Sequence, residues 1–182
     1  GSISHYEYTP AGELAKQVKP SGQIITYSRD ALSRISMVRY YANSASHSSS
    51  EPNLVVNLSY DSQDRLIRIS NGQITIERNY NLRGDLTQVV TNYGSFSKTQ
   101  AYSYHPDGKL KSYTTPEGIT YQYGYNRNNE LELVRIPDVG QMVYADFQWG
   151  LPGRIIYPGG SQQIQTYNGF QQYTSILLNN AL

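Results

Sequence analysis

The stretch at residues 60–66, Tyr-Asp-Ser-Gln-Asp-Arg-Leu, belongs to a seven-position signature that recurs along the 182-residue chain. The signature begins with an aromatic residue, places a turn-forming residue four positions later and ends with an aliphatic residue six positions later. The copies are Tyr8–Gly12–Leu14, Tyr60–Asp64–Leu66, Tyr80–Gly84–Leu86, Tyr104–Gly108–Leu110, Tyr125–Asn129–Leu131, Trp149–Gly153–Ile155 and the degenerate Arg29–Ser33–Ile35. Repetition of one short unit predicts a repeat architecture in which no single unit forms an active site.

The copies divide residues 1–182 into about eight units, which we interpret as a single repeat domain. The units start near residues 8, 29, 60, 80, 104, 125, 149 and 167. A Ser-rich insertion at residues 42–53 accounts for the one long interval and predicts a solvated, mobile loop. Gly1-Ser2 is typical of a cloning remnant, so we expect the chain to be a fragment of a longer protein.

Residues between the signatures alternate between apolar and polar, which is the period of a β-strand. Tyr121 and Tyr123, for example, flank Gln122, and turn-forming residues separate the alternating runs at both ends. The predicted fold class is all-β, with some sixteen short strands. They form tandem β-hairpins in one long, twisted, curved antiparallel sheet, open rather than closed. The tail, residues 175–182, fits either a last strand or a helical turn.

Two positions of the signature predict the turn itself. The second position is often Asp or Asn, whose side chain bonds to the backbone two residues on. The fourth offset is Gly, Asn, Asp or Ser in the seven copies, and Gly, Asn and Asp tolerate a positive φ. The Asp or Asn residues at the second position are Asp30, Asp61, Asn81, Asn126 and Asn168.

Composition excludes several classes of partner. The 15 basic and 14 acidic side chains leave a net charge of +1 with no basic stripe, which argues against nucleic acid. Cysteine is absent, so neither a disulfide framework nor a thiolate metal site is possible. No apolar run approaches the roughly 20 residues of a membrane helix, so we expect no membrane span in this segment.

The signature resembles the YD repeat, also called the RHS repeat. The Tyr-Asp pair is literal at Tyr60-Asp61 and conservative at Tyr80-Asn81, Tyr125-Asn126 and Tyr167-Asn168. The stretch at residues 29–35, Arg-Asp-Ala-Leu-Ser-Arg-Ile, is similar to a frequent variant of that repeat. The resemblance covers nearly the whole chain apart from residues 42–53 and the last few residues.

The family includes bacterial Rhs polymorphic toxins, shell components of insecticidal toxin complexes, and teneurins. The resemblance implies a segment of a hollow β-sheet shell in a secreted or cell-surface protein. In toxins such a shell encloses a C-terminal effector, and in teneurins it is part of an adhesion ectodomain. The self-cleaving C-terminal plug of some members has no match here. We therefore expect a non-enzymatic structural module whose partners are the rest of the parent chain and, in a toxin, an enclosed toxin domain.

No catalytic, cofactor or metal site is predicted. The three histidines, His5, His47 and His105, are scattered, and His105 occupies the second position of a signature. A Ser/His/Asp triad around His47 would require a fixed geometry that a mobile loop does not provide. Paired carboxylates suit acid–base chemistry, but the Asp residues here recur with the turns, which explains them.

The aromatic residues leave two functional hypotheses open. Tyr rows from successive repeats are expected to form cross-strand ladders, which are structural. The alternative is a carbohydrate- or protein-binding adhesion module that uses a Tyr/Trp-rich sheet face. The candidate ligand face is Trp149, Tyr157 and Tyr167, near the glutamines at residues 162, 163 and 165.

The two edge strands of the predicted sheet suggest one further partner, a second copy of the chain. Unpaired strand edges invite pairing with another chain. We therefore expect self-association through the end that carries Tyr6 or the end that carries Tyr173, most simply as a symmetric dimer.

Overall fold

The computed structural model describes residues 3–179, which form one antiparallel sheet of sixteen strands and one short helix. The strands follow one another in the sheet in chain order, from β1 to β16. The predicted all-β fold of tandem hairpins in an open antiparallel sheet is confirmed. The elements are β1 His5–Tyr8, β2 Leu14–Val18, β3 Ile24–Arg29, β4 Ile35–Tyr41, α1 Ser44–Ser48, β5 Leu54–Tyr60, β6 Leu66–Ser70, β7 Thr75–Tyr80, β8 Leu86–Asn92, β9 Ser97–Tyr104, β10 Leu110–Thr114, β11 Thr120–Tyr125, β12 Leu131–Ile136, β13 Gly140–Ala145, β14 Arg154–Ile156, β15 Gln162–Tyr167 and β16 Tyr173–Asn179.

The signature marks a hairpin turn. Its first residue ends one strand, and its aliphatic residue begins the next, so that Tyr60 pairs with Leu66 across the turn. The register shifts between Ser59 and Tyr60, which is the mark of a β-bulge. The same pairing with a shift joins Tyr8 to Leu14, Arg29 to Ile35, Tyr104 to Leu110, Tyr125 to Leu131 and Tyr167 to Tyr173.

The chain divides into two compact units, and its organisation as a single repeat domain of about eight units stays a prediction. The first comprises residues 3–80 with 88–99, and the second comprises residues 81–87 with 100–179. In the first unit, Tyr27, Val38 and Val56 lie opposite one another on one face of the sheet. The buried apolar residues of this unit are Ile24, Ile25 and Tyr41.

The second unit has an aromatic row on one face of the sheet and a polar row on the other. Tyr102, Tyr113 and Tyr121 lie opposite one another across three strands. Since successive residues of a strand point to opposite faces, the neighbouring row of Ser and Gln side chains lies on the other face. Gln165 is the buried polar residue, with 4% of its surface exposed.

Residues 42–53, predicted as an irregular loop, contain the helix α1. The side chain of Asn43 accepts a hydrogen bond of 3.1 Å from the Ser46 backbone nitrogen, and the Ser46 hydroxyl accepts one of 3.3 Å from the Asn43 backbone nitrogen. This capping box satisfies two backbone donors at the helix start, and the loop prediction is wrong for these five residues.

The tail is a strand up to Asn179, which decides between the two predicted alternatives. The rest of the predicted tail, residues 180–182, and the Gly1-Ser2 remnant lie outside the described residues. Within residues 3–179 no helix is long and apolar enough to cross a membrane.

Candidate functional site

The turns of the signature share one arrangement of hydrogen bonds around the residue at the second position. The carboxylate of Asp61 accepts bonds of 2.8 Å from the Gln63 nitrogen and 3.0 Å from the Arg65 nitrogen. One side chain thus satisfies two backbone donors that the turn leaves without strand partners. The same pair of bonds, between 2.9 and 3.0 Å, is made by Asp30, Asn81, Asn126 and Asn168.

The residue at the fourth offset of the signature adopts a left-handed backbone conformation, with a positive φ. Gly108 has a φ of 91°, and its nitrogen donates a hydrogen bond of 2.9 Å to the His105 carbonyl. Non-glycine residues take the same conformation at Ser33, with a φ of 62°, and at Asp64, with a φ of 61°. The remaining copies with a positive φ at this position are Gly12, Gly84, Asn129 and Gln171.

A position that the sequence analysis missed completes each turn. The residue five positions after the signature start pairs with the Asp or Asn of the second position. Asp pairs with Arg, as in Asp61 and Arg65 at 2.7 Å, whereas Asn donates to an acid or amide, as in Asn81 to Asp85 at 2.8 Å. The other pairs are Asp30–Arg34, Asn126–Glu130 and Asn168–Gln172. The sequence contains the evidence for this pairing, because the second and sixth positions of the signature change together. Copies with Asp at the second position have Arg at the sixth, and copies with Asn have Asp, Glu or Gln there.

These pairs alter the acidity of the carboxyl groups. The hydrogen bond from Arg34 is the largest cause that lowers the pKa of Asp30 below its ordinary value. The pKa of Asp85 is lowered chiefly by the Asn81 amide and also by Arg83. Partial burial alone would raise the pKa of Asp61, but hydrogen bonds from Arg65 and the backbone outweigh it, and the net shift is downward.

The tyrosine at the signature start joins one repeat to the one before it. Its hydroxyl donates a hydrogen bond to the main-chain carbonyl of the aliphatic residue of the preceding copy. The bonds run from Tyr60 to Ile35 at 2.9 Å, Tyr80 to Leu66 at 3.1 Å, Tyr104 to Leu86 at 2.7 Å and Tyr125 to Leu110 at 3.1 Å. Burial raises the pKa of Tyr104 and of Tyr125 above the ordinary value, which keeps both hydroxyls protonated as donors.

Cationic side chains reinforce the same junctions. The Arg34 guanidinium lies 4.7 Å from the Tyr60 ring centroid, and its Nη1 is 2.5 Å from an Asp64 carboxylate oxygen. Arg65 lies 4.7 Å from the Tyr80 ring in the same way. Such contacts contribute roughly 0.5–1 kcal/mol each at exposed sites, so the junctions at Tyr60 and Tyr80 each combine a ring, a cation and a hydroxyl.

His105 departs from this pattern. It occupies the second position of its copy, but Asp107 accepts the turn bond from the Lys109 nitrogen, at 3.2 Å. The His105 ring packs edge-on against Tyr125 at 6.0 Å, and its Nε2 is buried without a partner among residues 3–179. In the same described range no group of three or more His, Asp or Glu side chains is arranged to hold a metal ion.

The prediction that Trp149 starts a copy of the signature, at the end of a strand, is wrong. Trp149 does not end a strand but sits, with a φ of 52°, at the tip of a tight turn closed by two hydrogen bonds between Gln148 and Leu151. Gly153 has no positive φ. A Cβ there would lie 2.6 Å from the Asp146 carbonyl oxygen, so glycine is needed for close backbone approach. The third member, Ile155, is the second residue of β14.

The candidate ligand face stays a prediction, and the polar groups around it are paired with one another. The Tyr157 hydroxyl donates to Gln163 at 2.9 Å, and Gln165 donates to the Tyr167 hydroxyl at 2.8 Å. Gln163 donates to Gln165 at 2.8 Å, which joins these groups in one internal network. The polar atoms that would hold a ligand bond to one another, and Trp149 takes no part in this network.

The tyrosine ladder also presents little open ring surface. Tyr102 and Tyr113 stack with centroids 5.2 Å apart, and Tyr113 and Tyr121 stack at 6.3 Å. Because stacked rings cover one another's faces, the ladder is unsuited to sugars, which pack on an open aromatic face. The predicted structural role of the Tyr rows fits this geometry.

The comparisons with known proteins agree with this architecture. A family model described as the teneurin YD-shell matches residues 42–176. The match covers more than half of the chain, so the chain belongs to the teneurin YD-shell family, and its predicted resemblance to YD-repeat proteins is confirmed. No curated protein matches the sequence.

Solved structures of toxin complexes share the fold. The crystal structure of TcdB2-TccC3-Cdc42 matches 96% of this chain with a TM-score of 0.74 and 13% identity. The structure of a Photorhabdus luminescens Tc holotoxin pore matches 91% with a TM-score of 0.55 and 14% identity. The matched regions are 10% and 12% of those chains, so this chain spans about a tenth of their length. At these identities the similarity shows the fold alone.

Proposed function

We propose that the chain is a non-enzymatic wall segment of a longer YD shell that encloses or displays another part of its own polypeptide. The observation that carries this proposal is the bond that four signature tyrosines make to the preceding repeat. This bond explains the tyrosine at the start of the signature by a purely structural role. The proposal places the shell in a secreted or cell-surface protein, as in the toxin complexes whose fold it shares.

The chemistry of the turn edge supports a wall rather than a catalyst. The carboxylates that recur there are committed to backbone donors and to Arg or Asn side chains. A general acid or base requires a raised or matched pKa, whereas the pKa values of Asp30, Asp61, Asp85 and Asp107 are lowered. These groups stay ionised at neutral pH and act as fixed acceptors.

The test is limited proteolysis of the full polypeptide that contains these residues. A wall predicts that Tyr104→Phe, which removes a junction bond, exposes the enclosed part to protease sooner than in the wild type. The matched control is Tyr93→Phe, because the Tyr93 hydroxyl has no hydrogen bond within residues 3–179. Equal cleavage of both variants and the wild type would count against enclosure.

The second candidate is an adhesion module that binds carbohydrate or protein, and one observation favours it. Trp149 is 62% exposed at a hairpin tip, with a φ of 52°, and such backbone conformations cluster at functional sites. As the chain has one Trp, its fluorescence reports directly on this site. A saturable fluorescence shift with a glycan, together with a calorimetric binding signal that is lost in Trp149→Ala and kept in Leu82→Ala, would support binding. A flat titration across a glycan panel would rule out carbohydrate binding at this site.

A further inference from the structure

The loop that joins β13 to β14 departs from the regular turn of the repeat. It spans eight residues, 146–153, whereas the turn between β5 and β6 has five, residues 61–65. Its shape therefore depends on contacts of its own rather than on the bonds that the other turns share. Departures from a local rule are expected at functional positions, and this loop carries Trp149, the one Trp of the chain.

The backbone of this loop is held in a costly conformation. Asp146 has a φ of 55° and Trp149 a φ of 52°, values that non-glycine residues rarely adopt. Such conformations persist only where neighbouring contacts hold them in place. At the neck of the loop, the Gly153 nitrogen donates a hydrogen bond of 3.0 Å to the Asp146 carbonyl. This bond closes the neck, and the attachment of the loop to the sheet comes from β15.

Gln165 of β15 makes that attachment. Its backbone nitrogen donates a hydrogen bond of 2.8 Å to the Gly153 carbonyl, and its side-chain Nε2 donates one of 2.6 Å to the Pro152 carbonyl. The Tyr167 hydroxyl donates to the same Pro152 carbonyl at 2.9 Å. Because Gln165 is only 4% exposed, its bond to the loop is shielded from water and strengthened by the low local dielectric.

The chemistry of this position requires a glutamine amide. A carbonyl can only accept a hydrogen bond, so the nitrogen of the Gln165 amide faces the loop. That nitrogen also donates to the Tyr167 hydroxyl at 2.8 Å, and the amide oxygen accepts from Gln163 at 2.8 Å. Both N–H groups and the oxygen are therefore used. An ionised Glu has no N–H to donate and Met has neither group, so neither could hold the loop in this way.

We propose that Gln165 is a positioning residue for Trp149, which holds loop 146–153 in one conformation and presents the indole ring before any ligand binds. The proposal rests on the second candidate function, in which Trp149 contacts a ligand. Gln165 is too buried to touch a ligand itself and acts through the loop. A loop that is already ordered loses little conformational entropy on binding, which raises affinity without any new contact.

Time-resolved fluorescence anisotropy of the 182-residue chain tests the proposal, because the single Trp lies in the loop. Gln165→Met keeps the length of the side chain and removes both N–H donors. We expect the amplitude of the fast anisotropy decay, which reports motion of Trp149 within the folded protein, to rise about twofold. Equal decays in the wild type and Gln165→Met would overturn the proposal.

The matched control is Gln163→Met. Gln163 belongs to the same hydrogen-bond network, through Tyr157 and Gln165, but its side chain makes no bond to the loop among residues 3–179. Its substitution should leave the anisotropy decay of Trp149 as in the wild type. An equal rise in both variants would show that the network as a whole, and not Gln165, controls the loop, which would contradict the proposal.

Tyr167→Phe guards against a Gln165→Met variant that does not fold. It removes the other donor to the Pro152 carbonyl and leaves Gln165 in place, so we expect a smaller rise in the fast decay of Trp149. No change in Tyr167→Phe, together with an unfolded Gln165→Met, would show that the bonds to Pro152 do not restrain the loop and would overturn the proposal.

Chymotrypsin provides a second measurement that needs no ligand. Cleavage after Trp149 requires the loop to open, and its rate follows the open population when reclosing is fast. Loss of a donor to the Pro152 carbonyl should raise this rate in Gln165→Met by roughly tenfold. Cleavage after Phe96, in the hairpin between β8 and β9, is the internal control and should keep its wild-type rate.

The two cleavage rates separate a local from a global effect. If both rise together in Gln165→Met, the residue stabilises the whole fold rather than the loop, and the proposal fails. Neither the anisotropy nor the cleavage measurement contains a ligand, so a failure here is distinct from a failure of Trp149 to bind a glycan.

Discussion

The hydroxyl of Tyr60 donates a hydrogen bond of 2.9 Å to the main-chain carbonyl of Ile35, in the preceding copy of the signature. Three more tyrosines make the equivalent bond to the preceding repeat. Phe provides the same ring without the donor, and the chain has 18 Tyr but 3 Phe. The preference for Tyr at this position follows from the carbonyl that it satisfies.

The turn at Ser33 provides a stabilising prediction. Ser33 holds a φ of 62°, a conformation that costs a non-glycine residue about 1–2 kcal/mol. We expect Ser33→Gly to raise the free energy of unfolding by about 1 kcal/mol, less the entropy that Gly adds to the unfolded chain. Urea unfolding measures this. Ser59→Gly, at the penultimate residue of β5, should instead destabilise, and a loss of stability in Ser33→Gly would contradict the assigned role of the fourth offset.

The pairs at the second and sixth positions predict a compensating double substitution. Asp61→Asn leaves an amide facing the Arg65 guanidinium, and Arg65→Asp leaves two carboxylates together, so each should lower the Tm. The double variant recreates the pair seen between Asn81 and Asp85 and should recover much of the loss. If the double variant is as unstable as the sum of the two single changes, the pairing is not what couples these positions.

The lowered carboxylate pKa values predict acid sensitivity. A carboxyl group whose folded-state pKa is below its unfolded value stabilises the fold above the unfolded value, about 3.9 for Asp. That stability is lost as the pH falls through the folded-state pKa. We expect the unfolding midpoint to be flat from pH 7 to about 5 and to fall below about pH 4. In Asp30→Asn the fall should be shallower, whereas an unchanged pH profile would show that the Asp30–Arg34 pair contributes nothing.

Much of the turn could be predicted from the sequence because each position obeys a local rule. Asp61 caps the backbone and Gly108 takes a positive φ, as their chemistry requires. The bond between Tyr60 and Ile35 could not be predicted, since it depends on how two repeats distant in sequence lie side by side. The Trp149 copy failed because its spacing matches the signature while its loop closes through a separate tight turn between Gln148 and Leu151.

The short helix α1 escaped prediction for a different reason. Five residues are too few to show a helical period, and the capping of Ser46 by Asn43 is the only local signal. The pairing partner at the sixth position was missed because it changes identity between copies. Arg65 and Asp85 share a role without sharing a chemical type, so only comparison of the two positions together reveals them.

The most direct test of the central claim, that signature tyrosines hold successive repeats together, is equilibrium unfolding of a Tyr→Phe series. Each of Tyr60→Phe, Tyr80→Phe, Tyr104→Phe and Tyr125→Phe removes one hydroxyl donor and should lower the free energy of unfolding by about 1 kcal/mol. The combined variant should lose roughly the sum, while Tyr93→Phe should leave stability unchanged. If the fourfold variant unfolds at the wild-type denaturant midpoint, the hydroxyl bonds do not hold the repeats together and the structural account of the signature is wrong.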